Sequence, residues 1–192
     1  MSNFPLITIS SPSGGGKSTV TNKILKSSRR FAKSISATTR APRINEIDGR
    51  DYYFLSVDEF QAKIANNEFL EWEEVYQGVF YGTLISEIDN LANKGKIPIL
   101  TIDIHGALEI KAKLQYRVLS IFLDIPNLDI LRDRLKYRAT ETEEELQKRL
   151  ARAEYELSFK NKFDVIIPNV ELRKTVSEVI SCIDDFLHKL LL

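Results

Sequence analysis

The chain has 192 residues, 43% apolar and 28% charged, with 27 Lys plus Arg balanced by 27 Asp plus Glu. That is enough chain for one substantial core with small inserts, and zero net charge gives no reason to expect non-specific nucleic-acid or membrane binding. One cysteine, Cys182, excludes an internal disulfide and fits a reducing cytoplasm. No stretch resembles a signal peptide, a membrane span, a repeat or a low-complexity tract, so a cytoplasmic α/β domain is the expectation.

Leu6-Ile7-Thr8-Ile9 is an apolar, β-branched run that reads as a buried strand, and Val20, Ile24 and Leu25 follow at helical spacing. Between them lies Ser11-Pro12-Ser13-Gly14-Gly15-Gly16-Lys17-Ser18-Thr19. A strand, a glycine-rich turn and a helix make the phosphate-binding loop G-x-x-x-x-G-K-[ST]. Backbone N–H groups must wrap a polyphosphate there, so side chains are absent where the backbone comes close. Lys17 would add a point charge at the β/γ-phosphates, and the Ser18 hydroxyl would sit on Mg²⁺. Ser11 replaces the first glycine of the pattern, which requires a negative φ at that position. The plain alternative is a serine- and glycine-rich connection.

The first helix should run to about Lys26, with a short strand from Phe31 to Ser36. Residues 38–54 are polar and basic, carry Arg40, Arg43 and Arg50, and read as a functional loop. Ser56-Val57-Asp58-Glu59 looks like a capping box opening a helix with Phe60 and Ile64 on one face. Phe69 to Tyr76 alternates as a strand, Gly78 to Gly82 reads as a turn, and Leu84, Ile88 and Leu91 return to helical spacing.

Ile97 to Asp103 reads as a buried strand ending in a carboxylate, where α/β sheets bind ligands. Gly106 to Lys113 should be a short helix and Arg117 to Leu123 another strand. Asn127 should cap a helix through Leu135. After the basic-polar break at 137–141, Thr142-x-x-Glu145 reads as a second capping box, with Leu146, Leu150, Ala153 and Leu157 on one helix face. Asp164 to Ile167 is a last strand, and Leu172 to Leu190 a long amphipathic helix that would bury Cys182. Strands alternating with helices predict a parallel sheet covered on both faces. Residues ~36–83 form a compact insert on it.

The loop, Ser36-Ala37-Thr38-Thr39-Arg40-Ala41-Pro42-Arg43, Gly49-Arg50-Asp51-Tyr52, Phe69-Leu70-Glu71-Trp72, Tyr81-Gly82-Thr83 and Arg138-x-Thr140-Glu141 together resemble the guanylate kinase family over nearly the whole chain. The resemblance implies a P-loop NTPase-type core (1–35, 84–136 and 151–192), a mixed α/β GMP-binding insert (36–83) and a helical lid (137–150). It implies ATP with Mg²⁺ and GMP as ligands, no nucleic acid or membrane partner, and a monomer or homodimer. Arg40 and Arg43 would grip the GMP phosphate, and Tyr52 and Tyr81 would add hydroxyl donors; Glu46 belongs to the same set. Glu71 would face the guanine N1–H and N2–H₂, with Ser36 and Thr83 adding hydroxyls. Asp103 would touch either the guanine edge or the waters of the metal.

On the donor side the resemblance assigns the ATP phosphates to the loop, with Lys17, Arg40, Arg138 and Arg149 as the catalytic cations and Arg134 beside them. It places Asn169 at adenine, although Val170 stands where an acidic residue is usual. His105 stands where glutamine is usual and is given no catalytic role. Arg149 has a competing explanation, an (i, i+4) ion pair with Glu145. Two rival functions stay open: a non-catalytic guanylate-kinase-like binding module, and a monophosphate kinase for another base.

Overall fold

The computed structural model describes residues 4–127, 129, 131, 132 and 143–190. In chain order its elements begin with β1 (Leu6–Ser10), α1 (Lys17–Ser27), β2 (Phe31–Lys33), β3 (Ala37–Thr38), β4 (Tyr53–Phe54) and α2 (Val57–Ala65). Then come β5 (Phe69–Tyr76), β6 (Val79–Leu84), α3 (Ile85–Asn93), β7 (Ile97–Thr101) and α4 (Ile104–Leu114). The chain continues through β8 (Val118–Asp124), α5 (Glu143–Leu157), β9 (Val165–Pro168) and α6 (Leu172–Leu190).

Five strands form a parallel sheet in the order β2-β7-β1-β8-β9, with Ile7 level with Ile99 on one side and Leu119 on the other. The strands alternate between two apolar layers even though both faces are buried. Ile7, Ile9, Ile99, Leu119, Ile121 and Leu123 meet Val20 and Ile24 of α1 and Val179 and Ile183 of α6. Leu6, Leu100, Ile102, Val118 and Phe122 point the other way, onto Ala107 and Ile110 of α4. Period-2 side-chain direction in continuous apolar runs is how a sheet covered on both sides builds its core. Cys182 packs partly buried in the first layer, and burial pushes its thiol up from the ordinary value.

The second sheet, β4-β3-β6-β5, is mixed: β3 pairs parallel with β4, while β6 pairs antiparallel with β3 and β5. Phe60 of α2 is fully buried in its core, stacked 4.2 Å from Phe69 and 5.3 Å from Phe80. The Ser56–Glu59 capping box is present in both directions and starts α2. Glu87, in the first turn of α3, is buried where the chain passes between the sheets. Its carboxylate accepts the Ile35 N–H (3.2 Å) and the Tyr53 hydroxyl (2.8 Å).

Three local expectations are corrected. The strand predicted over Phe31 to Ser36 ends at Lys33 in the large sheet, and Ala37–Thr38, beyond the predicted range, is a separate strand of the small sheet. Residues 79–82 are strand rather than turn, because Gln77-Gly78 alone reverses the chain, with Gly78 at φ 73. Gly82 sits inside β6 because a Cβ there would lie 2.8 Å from the Phe69 ring. Finally β7 ends at Thr101, and Asp103 is the N-cap of a helix that starts two residues earlier than expected. At the predicted Asn127 cap, the side-chain oxygen accepts the Asp129 N–H (2.7 Å). The rest of that helix, the break at 137–141 and Thr142 lie largely outside the described residues. No helix among the described residues is long and apolar enough to cross a membrane.

Phe60→Ala should cost about 3–5 kcal/mol, the usual loss for emptying a fully buried aromatic site. Guanidinium unfolding of the variant checks this; a loss below about 1 kcal/mol would mean that the small sheet's core is not held by this ring.

Candidate nucleotide site

The glycine-rich turn lies at the carboxyl end of β1, the central strand, and closes with a Gly15 N–H bond to the Pro12 carbonyl (2.8 Å). Gly14 and Gly16 adopt φ of 83 and 91, a region open to glycine and costly for most side chains. Ser11 is buried and is not among the positive-φ residues, as its replacement of glycine requires. Its side chain fills the space beside Gly15, where a Cβ would come within 2.7 Å of Ser11 Cβ. Pro12 and Ser13 complete the crest, and Ser18 and Thr19 are exposed on the first turn of α1.

Two contacts brace this loop. The Lys17 ammonium donates to the Ser11 carbonyl (2.6 Å), and burial lowers its pKa against the opposing pull of Glu156 and Asp103. The Asn169 amide donates to the Gly15 carbonyl (2.6 Å), and its nitrogen stands 2.7 Å from where a Cβ on Gly16 would be. Asn169 is only 5% exposed, so its amide is a brace for the loop in this conformation, a role the sequence did not suggest. Ser10 ties the same strand end to β7, donating to the carbonyls of Ile102 (3.0 Å) and Asp103 (3.1 Å).

The loop opens on a cleft of about 490 Å³ whose lining includes Ser11, Ser13, Lys17, Tyr76, Asp103, Arg149, Arg152 and Glu156. Arg149 therefore stands on the same cleft as Lys17. The side chain of Glu145, its alternative partner, lies outside the described residues, as do Arg134 and Arg138. Residues 143–150 of the predicted lid are the first turns of α5, which runs on unbroken to Leu157.

A second cluster lies on the small sheet. Arg40 Nη2 donates to both Glu46 carboxylate oxygens (3.0 and 2.9 Å), and its Nε donates to the Tyr81 hydroxyl (3.1 Å). Tyr52 packs against Tyr81 at 6.0 Å, and the Arg40 guanidinium lies 5.4 Å from the Tyr52 ring centre. The Arg43 amide and the Arg40 guanidinium hold the Glu46 carboxyl below its usual range. Glu46 thus occupies one terminal nitrogen of Arg40, the other donates to the Ala41 carbonyl (2.6 Å), and the Arg43 side chain is exposed.

Glu71 joins the two sheets. It is 5% exposed and accepts the Thr83 hydroxyl at 2.6 Å. Its other carboxylate oxygen fits against α4 only because residue 106 is glycine: a Cβ there would approach it to 3.0 Å. Burial, helped by Asp103, Glu109 and Glu73 nearby, pushes its pKa up to about 7 despite the Thr83 bond. The Asp103 carboxylate itself caps α4 by accepting the Gly106 N–H (2.9 Å). Ser36 is half-buried, and its carbonyl accepts the Tyr53 N–H (2.9 Å). His105 is exposed and packs on Phe159 at 5.3 Å.

Three functional candidates escaped sequence reasoning: Glu87 at the joint, and Arg152 and Glu156 on the cleft wall. The last two are visible in sequence only as an (i, i+4) pair, the commonest sign of a solvated helix face.

The raised Glu71 pKa has a consequence for stability. Between its ordinary value of 4.5 and about 7 the folded chain holds a proton that the unfolded chain releases. Stability should therefore fall as pH rises through that window, by roughly 3 kcal/mol, and level off above it. Glu71→Gln should remove this component, so denaturant unfolding of both proteins from pH 4.5 to 8 checks it. Parallel pH profiles would mean that Glu71 titrates normally.

Comparison with known proteins shows the family. The family model described as guanylate kinase matches residues 4–186. A guanylate kinase of Bacteroides fragilis is 46% identical over 182 residues, covering 95% of this chain and 89% of that protein. One from Porphyromonas gingivalis is 42% identical over 185 residues, covering 96% and 98%. The crystal structure of guanylate kinase from Anaplasma phagocytophilum superposes with a TM-score of 0.74 at 32% identity, covering 95% of this chain and 85% of that one. With the family model matched across the phosphate loop, the small sheet and the cleft wall, the chain belongs to the guanylate kinase family.

Proposed function

We propose that this chain transfers the γ-phosphoryl group of ATP to the phosphate of GMP, giving ADP and GDP, as a cytoplasmic enzyme of guanine-nucleotide recycling. The observation that carries this reading is the pairing of an intact phosphate loop on one sheet with a buried, hydroxyl-supported carboxylate, Glu71, on the other. The loop, from Ser11 to Thr19, receives the ATP phosphates. Residues 36–83 receive GMP, and residues 137–150 act as a lid bearing Arg138 and Arg149, with Arg134 near its base.

The acceptor is already an anion, so the chain needs no general base. The difficulty is to bring two highly charged groups together without admitting water, which makes catalysis a matter of positioning and charge neutralisation. Lys17 leaves the Ser11 carbonyl for the phosphates, an exchange favoured because burial strips its ammonium of solvent. The exposed Ser18 hydroxyl, next to Lys17, is a hard oxygen donor suited to Mg²⁺, and Asp103 offers a carboxylate on the same cleft. When bound, Mg²⁺ would neutralise charge on the β- and γ-phosphates.

On the acceptor side, Arg40 exchanges Glu46 for the GMP phosphate, with Arg43, Tyr52 and Tyr81 around it. Glu71, ionised, accepts guanine N1–H and N2–H₂, while Thr83 holds the carboxylate and Ser36 serves O6. A contact of Asn169 with adenine, as the family resemblance implies, would require its buried amide to leave the Gly15 carbonyl.

Coupled ADP release with GMP, AMP, UMP or CMP as acceptor tests the reaction: turnover with GMP alone is expected, and none with any acceptor would overturn it. Lys17→Met should lower kcat by on the order of 10²-fold or more yet leave GMP affinity nearly unchanged, since the two ligands occupy different sheets. An equal loss of GMP binding would mean that the two sites are misplaced.

Base choice follows from Glu71. Adenine would aim an acceptor nitrogen at the carboxylate, and a site built for hydrogen bonds can reject that mismatch by roughly 10⁴-fold. IMP, lacking the amino group, should fall between GMP and AMP, poorer than GMP by ~1–3 kcal/mol. Glu71→Gln should compress the GMP-to-AMP ratio of kcat/KM; an unchanged ratio would transfer base reading to Asp103.

A further inference from the structure

Glu156 of α5 crosses the mouth of the phosphate loop. One carboxylate oxygen accepts the Ser13 N–H at 3.1 Å, and the other accepts Arg152 Nε–H at 3.0 Å. The Glu156 side chain is only 13% exposed, against 58% for Arg152. Among the charges around the Lys17 ammonium, Glu156 is the foremost in offsetting its burial. A phosphate loop directs backbone N–H groups and a cation at an anion. Here the anion is a side chain of the protein itself.

The geometry points to Glu156 as an internal stand-in for nucleotide phosphate that also parks Arg152: an incoming triphosphate displaces the carboxylate from Ser13 and takes Arg152 as a further cationic ligand. This deepens the reading of the loop as the ATP site and rests on it. Two observations support the exchange. First, Ser13, Lys17, Arg149, Arg152 and Glu156 line one cleft, so a ligand in that cleft meets the carboxylate and both its partners. Second, like charges repel strongly where water is scarce, so Glu156 and a polyphosphate cannot share that mouth without one giving way. Arg152 lies three residues beyond Arg149 on the same helix, about one turn further along its face. Once freed, its guanidinium can form the forked contact that phosphate oxygens favour.

The competing explanation is a solvated (i, i+4) ion pair worth little to stability and nothing to binding. The two differ in the sign of one substitution. Glu156→Gln keeps an acceptor for the Ser13 N–H but removes the competing charge and releases Arg152. It should bind ATP and inorganic tripolyphosphate several-fold more tightly, by about 3- to 10-fold or up to about 1.4 kcal/mol. Arg152→Ala should weaken both ligands by about tenfold, Arg152→Lys should recover part of that loss, and the KM for GMP should stay within about twofold in each case. Titration calorimetry on the full chain, with steady-state kinetics alongside, reads these effects. Unchanged or weaker ATP binding in Glu156→Gln overturns the stand-in, and unchanged binding in Arg152→Ala overturns the ligand role. If Glu156→Gln fails to fold, the Arg152 pair of variants decides alone. Failure of the unsubstituted chain to bind tripolyphosphate or ATP would instead sink the reading of the loop.

Discussion

Everything at the nucleotide site depends on a backbone turn that must stay bare and open. Gly16 adopts a left-handed φ of 91 at the start of α1, and the Asn169 amide stands where its side chain would be. A glycine-rich segment has high conformational entropy in the unfolded chain, so its shape has to be imposed by neighbours. Lys17 does so from within by bonding the Ser11 carbonyl, and Asn169 from the far end of the sheet by bonding the Gly15 carbonyl. These satisfy carbonyl groups that a tight turn would otherwise leave unpaired, which is costly in a buried setting. The parallel sheet is what brings Asn169 there: β9 lies beside β8, and β8 beside β1.

The site proposed for GMP follows a different logic. Glu71 carries a charge-bearing group into a buried seam, where its ionised form is expensive. The seam tolerates it through the Thr83 hydroxyl and the space left by Gly106, and the remaining cost appears as a pKa near 7. A carboxylate in that condition is short of hydrogen-bond donors, which suits a ligand that supplies two. Arg40 shows the converse arrangement, a cation already neutralised by Glu46 in a contact that a phosphate can replace. Arg40 with Glu46 and Ser13 with Glu156 each pair a donor with a protein carboxylate, the kind of acceptor that a phosphate would replace in the proposed function.

The joint between the sheets gives these sites a common frame. Glu87 holds the Ile35 amide and the Tyr53 hydroxyl, and so touches both the strand entering the small sheet and its edge. Lys113 of α4 donates to the Leu70 carbonyl at 2.7 Å, tying β5 to the helix that covers the large sheet, one residue from Glu71. The joint is apolar as well as polar: Leu70 of β5 is buried with Leu6, Leu100 and Ile110 in the layer under α4, so this end of the small sheet is fixed to the core of the large one.

The amino-acid sequence by itself determined the phosphate loop motif and the alternating strands and helices. These are carried by short-range signals: a nine-residue motif, period-2 and period-3.6 patterns, and the Ser56–Glu59 cap. Signals that looked local misled where tertiary packing overruled them. Gly82 reads as a turn residue but is a strand glycine made necessary by Phe69, and Asp103 reads as a strand end but caps α4. Only the tertiary structure decided that Asn169 braces the loop, that Glu71 is buried against Gly106, and that Glu156 faces Ser13. The Ser13–Glu156 and Gly15–Asn169 contacts join residues 143 and 154 positions apart, and no local pattern encodes a pairing at that range. The sheet brings them together through packing that many sequences could satisfy, so the partners become legible only once the chain has folded.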